Sequence, residues 1–341
     1  MNPKATFTAL LVGAGGMGQT WARNLAGCPE VQTVGWMDIR PGAAAAAIDK
    51  LRLTGVKAYD DLEKSLAELR PDFLVDVTVP EAHRDVTLAA LAAGIPVLGE
   101  KPMADSMSAG REMVAASERA GKLYMVSQSR RYDPRALAFR KAIDQHVGAL
   151  GMLTSDFFLG PHFGGFREQM NSPLILDMAI HTFDSARQIS AADPLSVYCH
   201  EFNPAWSWFK HGASATAIFE MSGGLQYAYR GSWCAQGLNT SWQSEWRAFG
   251  SRGAAAWDGE HDPVAARVTT HEGFIPPTEK IAVKSDESIP AGIAGSLAEF
   301  LHALRTGQTP QGECHDNIKS LAMVFAAMES AQTGQRVQIS V

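Results

Sequence analysis

The stretch Leu10-Leu11-Val12-Gly13-Ala14-Gly15-Gly16-Met17-Gly18 decides the fold of this chain. It places the spacing G-x-G-x-x-G directly after an apolar run and directly before a helix-forming segment. In that context the first glycine permits a tight turn, the second lets a phosphate approach the backbone, and the third lets helix and strand pack closely. We therefore expect the helix N-terminus to hold the pyrophosphate of a dinucleotide. The expected contacts are Gly13, Gly15, Gly16, Met17 and Gly18.

The segments around this motif alternate regularly over residues 1–127. Short runs rich in β-branched residues are followed by longer runs rich in alanine and leucine, a pattern typical of parallel strands covered by helices. We predict an α/β class, doubly wound Rossmann domain for residues 1–127. The predicted strands are residues 7–12, 31–37, 73–77, 96–98 and 123–126, and the predicted helices are residues 16–26, 43–51, 62–69, 82–93 and 106–120.

An acidic residue follows the second predicted strand. Asp38 lies 20 residues beyond Gly18, where dinucleotide-binding domains carry a carboxylate for the ribose hydroxyls of the adenosine. A carboxylate at this position repels a 2′-phosphate, so the sequence favours NAD. Arg40 leaves NADP open, because a guanidinium can either pair with that phosphate or stack on the adenine.

Residues 128–341 have a different pattern. Strand-like segments follow one another without regular helices between them, at residues 152–158, 196–202, 213–221, 225–233 and 245–250; helices are predicted at residues 174–189, 294–304 and 316–331. We predict a second, α+β domain over 128–341, with a largely antiparallel open sheet and helices on one face. The uncovered face predicts a homodimer or homotetramer formed through this sheet.

Three further stretches, taken with the glycine motif, resemble the Gfo/Idh/MocA oxidoreductases, the family of glucose-fructose oxidoreductase and inositol dehydrogenase. They are Asp76-Val77-Thr78-Val79-Pro80-Glu81-Ala82-His83, Gly99-Glu100-Lys101-Pro102, and Leu176-Asp177-Met178-Ala179-Ile180-His181-Thr182-Phe183-Asp184. The resemblance covers essentially the whole chain in the expected order. It implies that Lys101, Asp177 and His181 are the catalytic groups and that the Lys101–Pro102 bond is cis. It also implies that Thr78, Pro80, His83 and Glu100 lie with Lys101 at the cofactor.

The residue types fit the oxidation of a secondary alcohol. That reaction removes a hydride from carbon and a proton from oxygen, so it needs a base and a group that stabilises an oxyanion. His181 suits the base, because an imidazole accepts a proton near neutral pH. Lys101 follows a predicted strand of the parallel sheet, at the edge where such sheets bind ligands. The two residues are expected to act as an acid–base pair.

Asp177, His181 and Asp184 have the spacing i, i+4, i+7, which places them on one face of a helix. We assign Asp177 to orienting the substrate hydroxyl or the imidazole, and Asp184 to supporting the helix or the His181 ring. The alternative is that His181 is a structural histidine and the two acids lie on the helix surface. A zinc site using this pair is a further alternative, with candidate third ligands His162, His200 and His211, but no spacing fixes one. We expect no metal.

Other polar residues are candidates for binding the substrate. Arg131 follows the last strand of the first domain, and His162 and Arg167 precede the helix that carries Asp177. Arginine side chains in such positions bind hydroxyls or a carboxylate, and they also serve as structural ion-pair partners. The expected substrate-binding set is Lys101, Arg131, His162, Arg167, Asp177 and His181.

These observations predict an NAD(P)-dependent oxidoreductase that acts on CH–OH groups of a sugar, sugar acid or polyol. One alternative is a glycoside hydrolase or lyase that works through a transient NAD-dependent oxidation. Another is a non-catalytic regulator that senses the dinucleotide, although a pure binder has no need for the proton-transfer groups Lys101 and His181.

The composition limits the partners and the location. The net charge of -6 gives no electrostatic basis for binding nucleic acid or an acidic membrane surface. The four cysteines are widely spaced, and the chain lacks a signal-peptide pattern and a long apolar segment. We therefore expect a cytoplasmic protein that binds neither membranes nor nucleic acids.

Overall fold

The computed structural model describes residues 6–341, which divide into two compact units. The first unit contains the described residues up to Ser129 together with Gly292–Leu321. The second contains Arg130–Ala291 together with Ala322–Val341.

The first unit contains one parallel sheet with the strand order β3-β2-β1-β4-β5-β6. Its strands are β1 Phe7–Val12, β2 Val31–Met37, β3 Lys57–Tyr59, β4 Phe73–Asp76, β5 Val97–Glu100 and β6 Tyr124–Ser127. The helices between them are α1 Gly16–Gly27, α2 Ala43–Leu51, α3 Leu62–Leu69, α4 Pro80–Ala92 and α5 Met107–Ala120. The predicted Rossmann fold is thus confirmed. Strand β3 was not predicted from the sequence, because it is only three residues long and partly exposed.

The topology of this sheet places the loops that follow its strands at one edge. Strands β2 and β4 both pair with β1 in parallel, and β5 and β6 continue the sheet beyond β4. The strand order reverses between β1 and β4, which is where open α/β sheets form a ligand crevice. The glycine motif and the segment after β5 therefore lie at the same edge of the sheet.

A late segment of the chain returns to the first unit. Helix α8, Gly292–Thr306, places Phe300 against Phe73 of β4, with their ring centroids 5.3 Å apart. After it, the Val126 amide donates to Gly312 O at 2.8 Å. The sequence pattern predicts this segment in the second domain, residues 128–341. The structure groups Gly292–Leu321 with the first unit because its apolar residues cover the Rossmann sheet.

The second unit contains a sheet with the strand order β14-β13-β12-β11-β7-β10-β9-β8-β15. Its strands are β7 Leu150–Phe158, β8 Pro194–Phe202, β9 Ser214–Met221, β10 Gln226–Ser232, β11 Glu245–Gly250, β12 Gly253–Trp257, β13 Val264–Val268, β14 Thr278–Ala282 and β15 Val337–Gln338. Strands β10 and β7 pair in parallel, while the other neighbours are antiparallel. The largely antiparallel sheet is confirmed. Its helices are α6 Pro134–Ala142, α7 Ile180–Ser190 and the end of α9, Cys314–Thr333.

The two faces of this sheet differ in burial. On one face Phe183 of α7 makes edge-to-face contacts with Phe219, Tyr227 and Tyr229, and all four side chains are fully buried. Residues on the opposite face alternate with these along the strands and are partly or fully exposed. Large apolar side chains stand on this open face, namely Met152, Tyr198, Ile218 and Phe249.

A buried ion pair holds α7 to the segment after β6. Arg131 donates from Nε and Nη2 to the two carboxylate oxygens of Asp184 at 2.7 and 2.6 Å. Both side chains are nearly inaccessible, with 4% and 2% exposed. A two-bond contact between a guanidinium and a carboxylate has a fixed geometry. It therefore fixes the start of the second unit against the middle of α7.

We predict that Arg131→Met destabilises the protein by about 3–5 kcal/mol, because it leaves the Asp184 carboxylate buried without its ion partner. The matched control is Arg267→Met, which breaks the ion pair with Glu279, whose two side chains are 49% and 53% exposed. That control should cost less than about 1 kcal/mol. Urea unfolding midpoints test the difference, and equal losses in the two variants would contradict it.

Candidate cofactor and active site

The glycine motif adopts the conformation that its spacing predicts. Gly13 has a φ of +101°, and a Cβ there would lie 2.7 Å from Val77 O. A Cβ on Gly18 would lie 2.0 Å from Gly13 O, so α1 can approach β1 only when this position is glycine. At Gly15 a Cβ would meet nothing within 4 Å. Open space beside Gly15 is what a bound pyrophosphate requires.

The N-terminus of α1 suits an anion. Gly15 is its N-cap and offers no side-chain cap, and Gly16 and Met17 in the first turn are exposed. The first turn carries no acidic residue that would repel a phosphate. Amides and the positive end of the helix dipole therefore face solvent where the motif predicts the pyrophosphate.

Asp38 is buried behind the glycine turn and holds it in place. Its Oδ2 accepts from the Ala14 amide at 2.7 Å. Arg40 adds three bonds, from its amide to Oδ1 and from its guanidinium to Oδ1 and Oδ2, at 2.9–3.0 Å. The Arg40 hydrogen bonds lower the pKa of Asp38 to about 2. A carboxylate offers about four acceptor sites, so ribose hydroxyls can bind Asp38 only if the Arg40 guanidinium moves away.

The loop after β4 is organised by a second buried acid. Asp76, at the end of β4, accepts from Thr78 Oγ1 at 2.6 Å and lies 2.9 Å from His83 Nδ1. Pro80 starts α4, which carries His83. Burial lowers the pKa of His83, but the Asp76 carboxylate outweighs this, so its pKa is raised. The structure thus brings Thr78 and His83 together around Asp76, a residue to which the sequence analysis gave no role.

Lys101 follows β5 and a third buried acid. Glu100 accepts from the Trp21 indole Nε1 at 2.7 Å and from the Lys101 amide at 3.1 Å. Burial raises the pKa of Glu100. The Lys101–Pro102 bond is cis, as expected. Trp21 was not predicted as a site residue, because nothing in the sequence distinguishes an indole that reaches a polar partner from one that packs in the core.

Asp177 and His181 lie in the second unit at a change in helix type. Asp177 belongs to a π-helical turn, Leu174–Ala179, and His181 to the first turn of α7. The predicted single α-helix is therefore wrong in its first part. A π turn is wider than an α turn, so residues four apart remain about one turn apart. Both side chains are partly exposed, whereas Asp184 is buried.

The two acids of this segment have different partners. Asp184 forms the buried pair with Arg131, which is the helix-supporting role expected for Asp184 and the ion-pair role left open for Arg131. Arg167 donates from Nε to Asp177 Oδ2 at 2.8 Å. Two candidates, Arg167 for substrate binding and Asp177 for catalysis, are thus adjacent.

Aromatic side chains surround Arg167 and His162. The Arg167 guanidinium carbon lies 5.3 Å from the Phe163 ring centroid and 4.9 Å from that of Phe166. His162 stacks on Trp208 with centroids 3.9 Å apart. Residues 162–166 are exposed, so this loop presents aromatic and cationic groups to solvent.

Among residues 6–341, Glu313, Cys314 and His315 form the group whose side chains lie close enough together to share a metal ion. None of them was predicted as a site residue. Asp177, His181 and the histidines considered as zinc ligands do not belong to that group.

Comparisons with known proteins agree with this geometry. The family model described as oxidoreductase family, NAD-binding Rossmann fold matches residues 7–128, and the GFO/IDH/MocA C-terminal domain model matches residues 116–256. Uncharacterized protein y4oX of Sinorhizobium fredii is 27% identical, over 98% of this chain and 96% of that protein. Inositol 2-dehydrogenase of Rhizobium meliloti is 27% identical, over 97% of this chain and 98% of the relative.

A solved structure shares the fold. An oxidoreductase from Agrobacterium radiobacter, in complex with NAD+, L-tartaric acid and magnesium, superposes with a TM-score of 0.86 at 20% identity. The match covers 97% of this chain and 98% of that one. The two family models together match residues 7–256, so the chain belongs to the Gfo/Idh/MocA oxidoreductases and carries an NAD-binding Rossmann domain. In the described part of the chain, no helix is both long and apolar enough to cross a bilayer.

We predict that Arg40→Ala raises the preference for NAD over NADP about tenfold, a change of about 1.4 kcal/mol. The substitution frees acceptor sites on Asp38 for the ribose and removes the cation that would pair with a 2′-phosphate. Dissociation constants from NADH and NADPH fluorescence provide the measurement.

Two further variants sharpen this test. Asp38→Ser should shift the preference the other way, and Arg119→Ala, an exposed cation on α5, should leave it unchanged. An unchanged ratio in Arg40→Ala would show that this guanidinium has no part in cofactor choice.

Proposed function

We propose that the protein oxidises a secondary hydroxyl of a sugar, sugar acid or polyol, with Lys101 and His181 as the acid–base pair. The observation that carries this proposal is the arrangement of the first unit. The open glycine turn, the uncapped start of α1 and Lys101 lie at one edge of a parallel sheet. Bound at that edge, NAD supplies the hydride acceptor.

The side chains have distinct tasks in this proposal. The His181 imidazole takes the hydroxyl proton, and the Lys101 ammonium donates a hydrogen bond to the oxygen as negative charge develops on it. Asp177 orients the hydroxyl or the imidazole. Arg167 holds Asp177 at 2.8 Å and is itself supported by two aromatic rings. Of the two arginines proposed for substrate, Arg167 remains the candidate, since Arg131 is occupied by the buried Asp184.

The substrate class rests on the relatives and on the exposed loop. Inositol 2-dehydrogenase is similar over nearly the full length of this chain, which supports a ring bearing several hydroxyls. Arg167 lies beside the exposed rings of Phe163 and Phe166, and the exposed His162 stacks on the partly buried Trp208. Such a surface can bind hydroxyls through the polar groups and the apolar ring face of a sugar through the aromatic ones.

The experiment is a screen of cyclitols, aldoses and sugar acids with NAD and NADP in parallel, followed by absorbance of the reduced coenzyme. We predict turnover with at least one of them. Lys101→Ala and His181→Asn should each lower kcat by about 10²–10⁴-fold while NADH binding persists. The matched controls are Lys122→Ala and His271→Asn, which alter exposed residues and should keep full activity.

Two results would refute the assignment. Full activity in both Lys101→Ala and His181→Asn would exclude the acid–base pair. Cleavage of a glycoside without net reduction of NAD would instead show the hydrolase or lyase alternative, in which the oxidation is transient.

We also propose that the open face of the second sheet forms a homo-oligomer. Met152, Tyr198, Ile218 and Phe249 are each 37–50% exposed on that face. These large apolar groups, two on the neighbouring strands β11 and β7 and two on the neighbouring strands β9 and β8, form the kind of patch that subunit interfaces bury. Because the patch lies on regular strands, a second copy related by a twofold axis can present the same surface to it.

We predict that Ile218→Asp shifts the protein to monomers, because it places a charge on this patch. Light scattering coupled to size exclusion measures the mass. Val341→Asp, at an exposed C-terminal position, is the control and should keep the wild-type mass. A wild-type protein that is monomeric at tens of micromolar would contradict the proposal.

A further inference from the structure

A buried tryptophan connects the coenzyme-binding helix to the proposed catalytic lysine. Trp21 lies in α1, has no exposed surface, and donates from Nε1 to Glu100 Oε1 at 2.7 Å. The other oxygen of the same carboxylate accepts from the Lys101 amide at 3.1 Å. One carboxyl group thus binds both the helix that starts at the glycine motif and the backbone of Lys101.

The environment of Glu100 makes this contact energetically important. A buried carboxylate is costly unless hydrogen bonds or charges compensate it. Burial raises the pKa of Glu100, and the Trp21 indole is the largest of the influences that oppose this rise. The charged groups that face it are Lys101 and His83, and His83 is paired with Asp76. Removing the indole therefore leaves Glu100 Oε1 buried without its donor.

The position of Trp21 in α1 connects its bond with Glu100 to the coenzyme-binding turn. It lies five residues after Gly16, within the second turn of α1. The first turn of that helix carries the amides expected to hold the pyrophosphate. A shift of Glu100 relative to Trp21 therefore changes the position of Lys101 relative to the bound coenzyme.

We propose that Trp21 is a positioning residue, which acts through Glu100 to fix Lys101 relative to the coenzyme-binding helix. This inference rests on the proposed function, because it takes Lys101 as a catalytic group. It adds a fully buried residue whose indole bonds to Glu100. Its effect should appear in turnover and not in coenzyme affinity.

The same unit provides a matched control. Trp36 is also fully buried, and its Nε1 donates to Gly13 O at 3.0 Å. Trp21→Phe and Trp36→Phe each remove one buried indole N–H bond and a similar volume. The first disturbs the carboxylate that holds Lys101, and the second disturbs the glycine turn.

The first test observes Lys101 directly and needs no substrate. Reductive methylation with ¹³C-formaldehyde labels the eleven lysines of the chain, and Lys101→Arg assigns the Lys101 signal. With NAD bound, Trp21→Phe should shift and broaden that signal, whereas Trp36→Phe should leave it unchanged. Identical spectra for wild type and Trp21→Phe, or the same change in both variants, would overturn the proposal.

The second test separates kcat from KM with the polyol or sugar that gives turnover in the screen. Trp21→Phe should lower kcat about tenfold with less than about twofold change in the KM for NAD, because it removes the buried indole bond to the carboxyl group that holds the Lys101 amide. Trp36→Phe should raise the KM for NAD and leave kcat within about twofold. A merely structural Trp21 would lower the melting temperature without this split.

Failure of this inference is distinguishable from failure of the proposed function. If Lys101→Ala abolishes turnover but the two tryptophan variants behave alike, only the positioning role is lost. If Lys101→Ala keeps full turnover, the catalytic assignment fails whatever Trp21 does.

Discussion

The structure of the first unit depends on the close approach of α1 to β1. That approach exists because Gly18 has no side chain, as a Cβ there would lie 2.0 Å from Gly13 O. It sets the position of the helix N-terminus over the end of the strand, where amides and helix dipole suit a phosphate. The buried Trp21 is placed by the same helix, so the packing that forms the cofactor site also directs an indole toward Glu100.

Three buried carboxylates then fix the loops at the edge of the sheet. Asp38 follows β2, Asp76 ends β4 and Glu100 ends β5, and each has at most 9% of its surface exposed. Each accepts at least one backbone amide from the segment it holds, respectively from Ala14, Thr78 and Lys101. Burying an acid is unfavourable unless such bonds compensate it. A loop that moves away loses its bond to the buried carboxylate, which is unfavourable, so these bonds keep the loops ordered.

Sequence reasoning predicted the Rossmann sheet because its signals are local. An apolar strand, a glycine turn and a helix lie within Leu10–Gly18, and Asp38 lies at a characteristic distance from them. The strands β12 to β15 are short and partly exposed, so they lack a clear alternation of polar and apolar residues. The return of Gly292–Leu321 to the first unit depends on Phe300 meeting Phe73, a contact between residues far apart in the chain.

The candidate site also contains contacts between distant residues that sequence patterns do not predict. The sequence identifies Glu100 and Lys101 by their motif, but the Trp21 bond joins residues 79 positions apart. Likewise the spacing of Asp177, His181 and Asp184 predicts a shared helix face but not the π turn or the partners of each acid. Those features arise from packing around the helix, which a linear pattern does not record.

The contrast between Asp177 and Asp184 explains how one helix can serve both structure and chemistry. Asp184 is buried and bound through two bonds to Arg131, which has 4% of its side chain exposed, so neither partner can leave without exposing a charge to an apolar interior. Asp177 is held through Arg167, a side chain 39% exposed and stacked on the loop aromatics. Solvent can replace that partner at small cost. In the proposed function, Asp177 is therefore the acid whose bond to Arg167 can be exchanged for a bond to a substrate hydroxyl.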